Sequence, residues 1–150
     1  MRRLLVIVAA SLFLSQYAAA QFGPSTPPLA LPGVECFEHM EAPEYPKAAL
    51  QGRVDGSIWT KIDVTAQGTA GKVDMQVVTA WTDGGKLLTP PVEKAIQASK
   101  FKPDCGGKTV SIVYRFALHG DATANPKPES RTEPPHLVWI ESQPETAAAK

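Results

Sequence analysis

Residues 109–118 are the segment of this sequence that most constrains its fold. Five large apolar residues occupy alternate positions there: Val110, Ile112, Tyr114, Phe116 and Leu118. A period of two places all five side chains on one face of an extended strand. The backbone of such a strand also needs neighbouring strands to bond with. The sequence therefore predicts a sheet with one covered face, and residues 109–118 form one of its strands.

Two earlier segments alternate in the same way and are close enough to form a hairpin. In the first, residues 58–64, one face carries Ile58, Thr60, Ile62 and Val64. In the second, residues 72–81, one face carries Val73, Met75, Val77 and Thr79. The loop between them contains two glycines, which is typical of a hairpin connection.

Two helices are predicted beside these strands. Pro46 suits the first position of a short helix, and Gly52 suits a left-handed exit from it. Thr89 and Pro90 are typical of an N-cap and a first helical position. The second helix has a narrow stripe suited to packing on a sheet: Val92, Ala95, Ile96 and Ser99.

The order helix, strand, strand, helix, strand predicts an α+β fold. We expect a three-stranded antiparallel or mixed sheet in the order 2-1-3, with both helices packed on one face. The third strand, residues 109–118, is then expected to be an exposed edge of the sheet.

The N-terminal residues have the pattern of an export signal. Two arginines precede an apolar run of about eleven residues, too short for an ordinary transmembrane helix. Ala18 and Ala20 offer a cleavage site, so residues 1–20 are predicted to be a signal peptide and Gln21 the first mature residue. The alternative is an uncleaved anchor. Residues 21–33 are a Pro-rich lead-in, and the compact domain is expected to span residues 34–119.

Export would place the two cysteines, Cys36 and Cys105, in an oxidising compartment. An even number of cysteines in an oxidising compartment favours a disulfide. A zinc site is disfavoured, because Cys36 and His39 supply only half of a ligand set. Two free thiols are the remaining alternative.

Charge and composition exclude several functions. Lys and Arg number 15, and so do Asp and Glu, so no cationic excess attracts nucleic acid or anionic lipid. His39, His119 and His136 are scattered, and no serine has a nucleophile context. We predict no enzyme activity, no metal site and no cofactor. Trp59 and Trp81 are expected to pack across strands rather than to form an exposed ligand surface.

The chain resembles the C-terminal domain of TonB proteins over residues 42–118. The resemblance rests on these features in this order: Tyr45-Pro46, Ala48-Ala49, Gly52, Gly56, Gly68, Val77-Val78, the helix around Ala95, and Phe101-x-Pro103. It implies a TonB C-terminal-like fold. TonB proteins couple inner-membrane energy to outer-membrane transporters, and this domain binds a short extended peptide from the transporter. Here, however, the leader is of the cleavable type and the Pro-rich spacer is only about a dozen residues, on the order of 40 Å.

The resemblance implies a periplasmic peptide-binding module linked to outer-membrane transport. Such modules bind by strand addition, in which an extended peptide pairs with a sheet edge. The predicted peptide-binding edge consists of Thr109, Val110, Ser111, Ile112, Val113, Tyr114, Arg115 and Phe116. The expected partner is the periplasmic peptide of a transporter. The alternative is an assembly role, in which the sheet edge forms a homodimer.

Residues 120–150 are predicted to be a Pro-rich, flexible tail that contains one short apolar run. Residues 137–140 are rich in strand-forming side chains, and about 17 residues separate them from the third strand. A tether of this kind gives an effective concentration on the order of millimolar. We expect residues 137–140 to pair with the third strand; the alternative is packing elsewhere or disorder.

Overall fold

The computed structural model describes residues 31–79 and 83–146. The predicted signal peptide, nearly all of the Pro-rich lead-in and Trp81 lie outside these residues. Within the described ranges, no helix has both the length and the apolar character needed to cross a membrane.

Seven strands and two α-helices follow one another along the described chain. The strands are β1 Phe37–His39, β2 Gly56–Val64, β3 Ala70–Thr79, β4 Lys100–Phe101, β5 Thr109–Leu118, β6 Glu129–Glu133 and β7 Leu137–Ser142. The helices are α1 Lys47–Gln51 and α2 Gly84–Ala98. Two 3-10 turns are present, at Val34–Cys36 and Pro103–Cys105.

The main sheet has five strands in the order β3-β2-β5-β7-β6. β2 is antiparallel to β3 and β5, whereas β7 is parallel to β5 and antiparallel to β6. The fold is therefore α+β with a mixed sheet and two helices. The expectation of three strands is wrong, because the C-terminal region adds two more. β1 and β4 form a separate two-stranded ladder.

The alternate apolar side chains of β2 and β5 are buried on one face of the sheet, as predicted. Ile58, Ile62, Ile112 and Phe116 have no exposed surface and lie in one apolar cluster. β5 has the predicted bounds, and β2 begins two residues early, at Gly56. Only glycine fits there, because a Cβ would lie 2.5 Å from Cγ2 of Thr79.

The second helix starts earlier than its sequence signals indicate. α2 begins at Gly84, so Thr89 is not its N-cap and Pro90 and Pro91 lie inside it. Each proline lacks the N–H that would bond the carbonyl four residues earlier, which normally disfavours this placement. Leu88 has no exposed surface, and its burial holds the early turns against the core. The predicted stripe of Val92, Ala95, Ile96 and Ser99 is buried as expected.

The first helix ends at Gln51, as predicted, but the left-handed residue that follows lies one position later than expected. Pro46 is the N-cap, and Gly52 has ordinary right-handed geometry. The left-handed residue is Arg53, with φ of 53°. The N–H of Val54 then donates to Ala49 O at 2.8 Å and closes the helix end. Val54 is buried, and its carbonyl accepts a 2.7 Å hydrogen bond from the Tyr45 hydroxyl.

Cys36 and Cys105 form a disulfide, which confirms that prediction. It joins the two 3-10 turns across a sequence separation of 69 residues, and both cysteines are buried. Nearby, the rings of Phe37 and Phe101 lie 4.5 Å apart between centroids. The disulfide therefore links the chain just before β1 to the chain just after β4, beside the ladder that these two strands form.

Candidate strand-addition site

The predicted peptide-binding edge lies in the interior of the sheet. β5 pairs with β2 along one side and with β7 along the other, so the expectation that Thr109, Val110, Ser111, Ile112, Val113, Tyr114, Arg115 and Phe116 form an exposed edge is wrong. The N–H of Val113 donates to His136 O at 2.7 Å. The N–H of Ser111 donates to Pro32 O at 2.9 Å, so both halves of β5 are covered.

β7 pairs with the side of β5 that faces away from β2, as an added strand would. The fold-back predicted for residues 137–140 is present, and the strand extends to Ser142. Val138 lies opposite Tyr114 and Ile140 opposite Phe116, and both side chains are buried in the core. Residues 137–142 are thus part of the domain and not a flexible tail.

Contacts at the start of β7 hold it in register. Val34 N–H donates to Pro135 O at 2.7 Å, and His136 Nδ1 lies 2.9 Å from Ser111 O. A Cβ at Gly33 would overlap Pro135 O, so this crossing of two backbones requires glycine. The N-terminal and C-terminal segments therefore hold each other against β5.

β6 forms one outer edge of the sheet and carries features that discourage further pairing. All five of its residues are exposed, and Glu129, Arg131 and Glu133 alternate in charge along it. Arg131 lies over the ring of Trp139, 4.8 Å from its centroid. Charged side chains on an edge strand disfavour the addition of another strand.

β3 forms the other outer edge and is twice as long, with ten residues. Within the described part of the chain, the backbone of residues 71–78 makes no hydrogen bond outside the ladder with β2. Its two charged side chains neutralise each other: Lys72 Nζ lies 2.9 Å from Asp74 Oδ2. This hydrogen bond raises the pKa of Lys72.

Strand alternation identifies which backbone groups of β3 point outward. The N–H groups of Ser111 and Val113 face away from β2, so Ile112, between them, faces β2. Ile112 pairs with Thr60, and Thr60 with Met75. Since backbone groups alternate along each strand, those of Val73, Met75 and Val77 point away from the sheet.

The two faces of β3 differ in the side chains that they offer to an added strand. Val73, Met75 and Val77 are partly buried and pack against the core beneath α2. The opposite face carries Lys72, Asp74, Gln76 and Val78, and Val78 is 54% exposed. A shallow hollow of about 270 Å³ adjoins that face; its lining includes Trp59, Lys61, Asp74 and Gln76.

The remaining predicted residues do not form a second site. Trp59 lies on the open face between Gln76 and Val113, and the predicted packing against Trp81 falls outside the described residues. His39 and His119 lie near carboxylates at the surface. In residues 31–79 and 83–146, no group of three or more His, Cys, Asp or Glu residues is placed to hold a metal ion.

Comparison with known proteins adds no relative: no family model, curated protein or solved structure matches this chain. The resemblance to TonB C-terminal domains therefore rests on the sequence features given above.

β3 was not predicted as the candidate edge, although the sequence contains a signal for it. The strand order 2-1-3 leaves the second strand exposed as well as the third, and the second carries only one positive and one negative side chain between Ala70 and Thr79. β6 offered no comparable signal, because its five residues contain no large apolar side chain.

Proposed function

We propose that this protein is a protein-binding module that accepts an extended peptide by strand addition at the outer edge of β3. The observation that supports this proposal is a long edge strand in which the outward backbone groups of Val73, Met75 and Val77 have no partner in the described structure. The partner implied by the TonB resemblance is the periplasmic segment of an outer-membrane transporter. The disulfide supports a place in an oxidising compartment, which for an exported protein is the periplasm.

Strand addition divides affinity and selectivity between backbone and side chains. Hydrogen bonds to Val73, Met75 and Val77 do not depend on the sequence of the ligand. Alternate ligand side chains then extend the apolar row formed by these three residues, and the others face solvent beside Asp74 and Gln76. The expected ligand is therefore an extended segment with apolar residues at every second position.

Binding at β3 is favoured over binding at β5 because β5 is already paired. A peptide that displaced β7 would expose Val138 and Ile140, each worth about 1.5–3 kcal/mol when fully buried. The combined cost of about 3–6 kcal/mol corresponds to a loss of at least a hundredfold in affinity. A peptide added to β3 displaces no strand of the described structure.

Hydrogen–deuterium exchange of the mature, oxidised protein tests the location of binding. The ligands are synthetic ten-residue peptides with apolar residues at alternate positions, including segments from the periplasmic ends of outer-membrane transporters. We expect slower exchange at the amides of Val73, Met75 and Val77. The control peptide has the same composition with its apolar residues grouped at one end. Protection confined to β5, or none at any concentration up to millimolar, would contradict the proposal.

A paired substitution tests whether the backbone carries the affinity. Met75→Pro removes an outward N–H without removing a bond to β2, whereas Met75→Ala removes most of the side chain and keeps the N–H. We expect Met75→Pro to weaken peptide binding at least tenfold more than Met75→Ala. Melting curves of both variants verify the fold. Equal effects would mean that side-chain contacts alone explain the binding.

Mass spectrometry tests the proposed location. We expect the protein recovered from the periplasm to begin at Gln21, after cleavage of the leader. A full-length species retained with the inner membrane would contradict export and favour an anchored protein.

A further inference from the structure

We propose that, in the absence of a peptide, a second copy of the chain occupies the β3 edge and forms a two-fold antiparallel dimer centred on Val73. This inference rests on the proposed strand addition at β3 and names the occupant of that edge. In the proposed register, Lys72 of each copy lies directly opposite Asp74 of the other.

The charges of β3 select this register among the symmetric ones. In a two-fold antiparallel pair, each residue lies opposite the one equally far from the centre on the other side. Centring on Lys72 or on Asp74 places that charge opposite itself, which is destabilising. Centring on Met75 avoids like charges but places Lys72 opposite Val78 and Asp74 opposite Gln76. Only the centre at Val73 pairs both charges across the interface.

The backbone geometry suits the same register. The N–H and C=O groups of Val73 point outward, so Val73 of one copy exchanges two hydrogen bonds with Val73 of the other. The neighbouring pairs are then of the non-hydrogen-bonded type, in which facing side chains approach most closely. These are the pairs of Lys72 with Asp74, so the two ion pairs lie at the closest positions of the ladder.

Side chains on both faces are complementary in this arrangement. On the open face, Lys61 already lies opposite Asp74 within one copy, and Lys72 of the second copy continues the alternation of charge. On the other face, Val73 meets Val73, and Met75 faces Gly71 of the second copy. The absence of a side chain at Gly71 leaves room for Met75.

The dimer would be closed and weak. Pairing through β3 uses the favourable edge of each copy. The other outer edge, β6, is short and charged, so further copies do not add to the dimer. The paired segment covers only residues 70–76 and falls in the class of small, transient interfaces. A peptide of suitable pattern can therefore displace the second copy, and self-association protects the edge until the peptide binds.

Charge reversal with rescue tests the register. Sedimentation equilibrium of the mature, oxidised protein over micromolar to millimolar concentrations measures the dimer constant. We expect Lys72→Asp and Asp74→Lys each to weaken the dimer at least tenfold, because each places like charges opposite one another twice. The double variant K72D/D74K restores opposite charges and should return the constant to within about threefold of wild type.

A matched control separates the interface from net charge. Lys86→Asp makes the same charge change at an exposed ion pair with Asp83, outside the proposed 70–76 interface, and should leave the dimer constant unchanged. A wild-type protein that stays monomeric up to millimolar concentration overturns the inference, and so does a double variant without rescue. If the wild type is monomeric but peptides still protect β3 from exchange, the proposed function stands and only the dimer is refuted.

Discussion

The burial of β7 leads to the prediction that this C-terminal strand is an integral part of the core, and Ile140→Ala tests it. Ile140 is 1% exposed and lies opposite Phe116. Replacing a buried Ile by Ala costs about 2–5 kcal/mol, the sum of lost burial and the cavity left behind. The free energy of unfolding of a domain of this size is about 5–15 kcal/mol, so one substitution removes a large share of the stability.

The assay is urea unfolding of the oxidised protein, followed by circular dichroism. We expect the midpoint to fall while the dependence on urea stays the same, since the whole domain still unfolds as one unit. The matched control is Glu141→Ala, one residue along the same strand and on the opposite face. Glu141 lies 3.4 Å from both His119 and Arg131 near the surface, where ion pairs contribute about 0–1 kcal/mol.

An integral role of β7 in the core is contradicted if Ile140→Ala costs no more than Glu141→Ala. A separate early transition in urea would have the same meaning, because β7 would then detach without unfolding the domain. In either case β5 would be an accessible edge after all, and β3 would have no energetic advantage over β5 as the place of peptide binding.

Three further predictions concern stability and the C-terminal strand. Tyr45→Phe should lower the free energy of unfolding in urea by about 1 kcal/mol, because it removes the hydrogen bond to Val54 O. Tyr114→Phe should be neutral or stabilising, because the buried Tyr114 hydroxyl has no partner in the described structure. Replacing Cys36 and Cys105 by Ala should lower the free energy of unfolding by about 2–5 kcal/mol, and an unchanged midpoint would contradict a structural role for the bridge. Deleting residues 132–150 removes β7 and exposes β5, and should increase self-association in sedimentation of material that circular dichroism shows to be folded, whereas a folded variant as monomeric as the intact chain at the same concentration would show that an exposed β5 does not pair.

The strands of the central sheet could be predicted because their signal is local. In β2 and β5, each buried apolar side chain contributes its burial energy separately, so the alternation along the chain already specifies which face is covered. The disulfide was predictable for a different reason: with only two cysteines, a single intramolecular pairing exists. The stripe of α2 was likewise readable from its helical spacing.

Local signals failed where packing opposed them. Thr89 and Pro90 are typical of a helix start, yet α2 begins six residues before Pro90 because Leu88 is buried against the core. β6 has no apolar pattern and forms because β7 provides a partner for its backbone. Leu88 packs against residues that are distant in the chain, and β7, the partner of β6, is itself paired with the distant β5.

The exposure of each sheet edge was decided only by the tertiary structure. The alternating pattern of residues 109–118 is enough to predict a strand there, and the composition of residues 137–140 favours strand structure. Whether β5 is an edge depends on the pairing of Val113 with Leu137, 24 residues apart in the chain, which also relies on the crossing of Gly33 and Pro135. An edge is a property of what lies beside a strand in space, and a strand's own side chains do not encode its neighbours. For that reason the candidate site lies at β3 and not at β5.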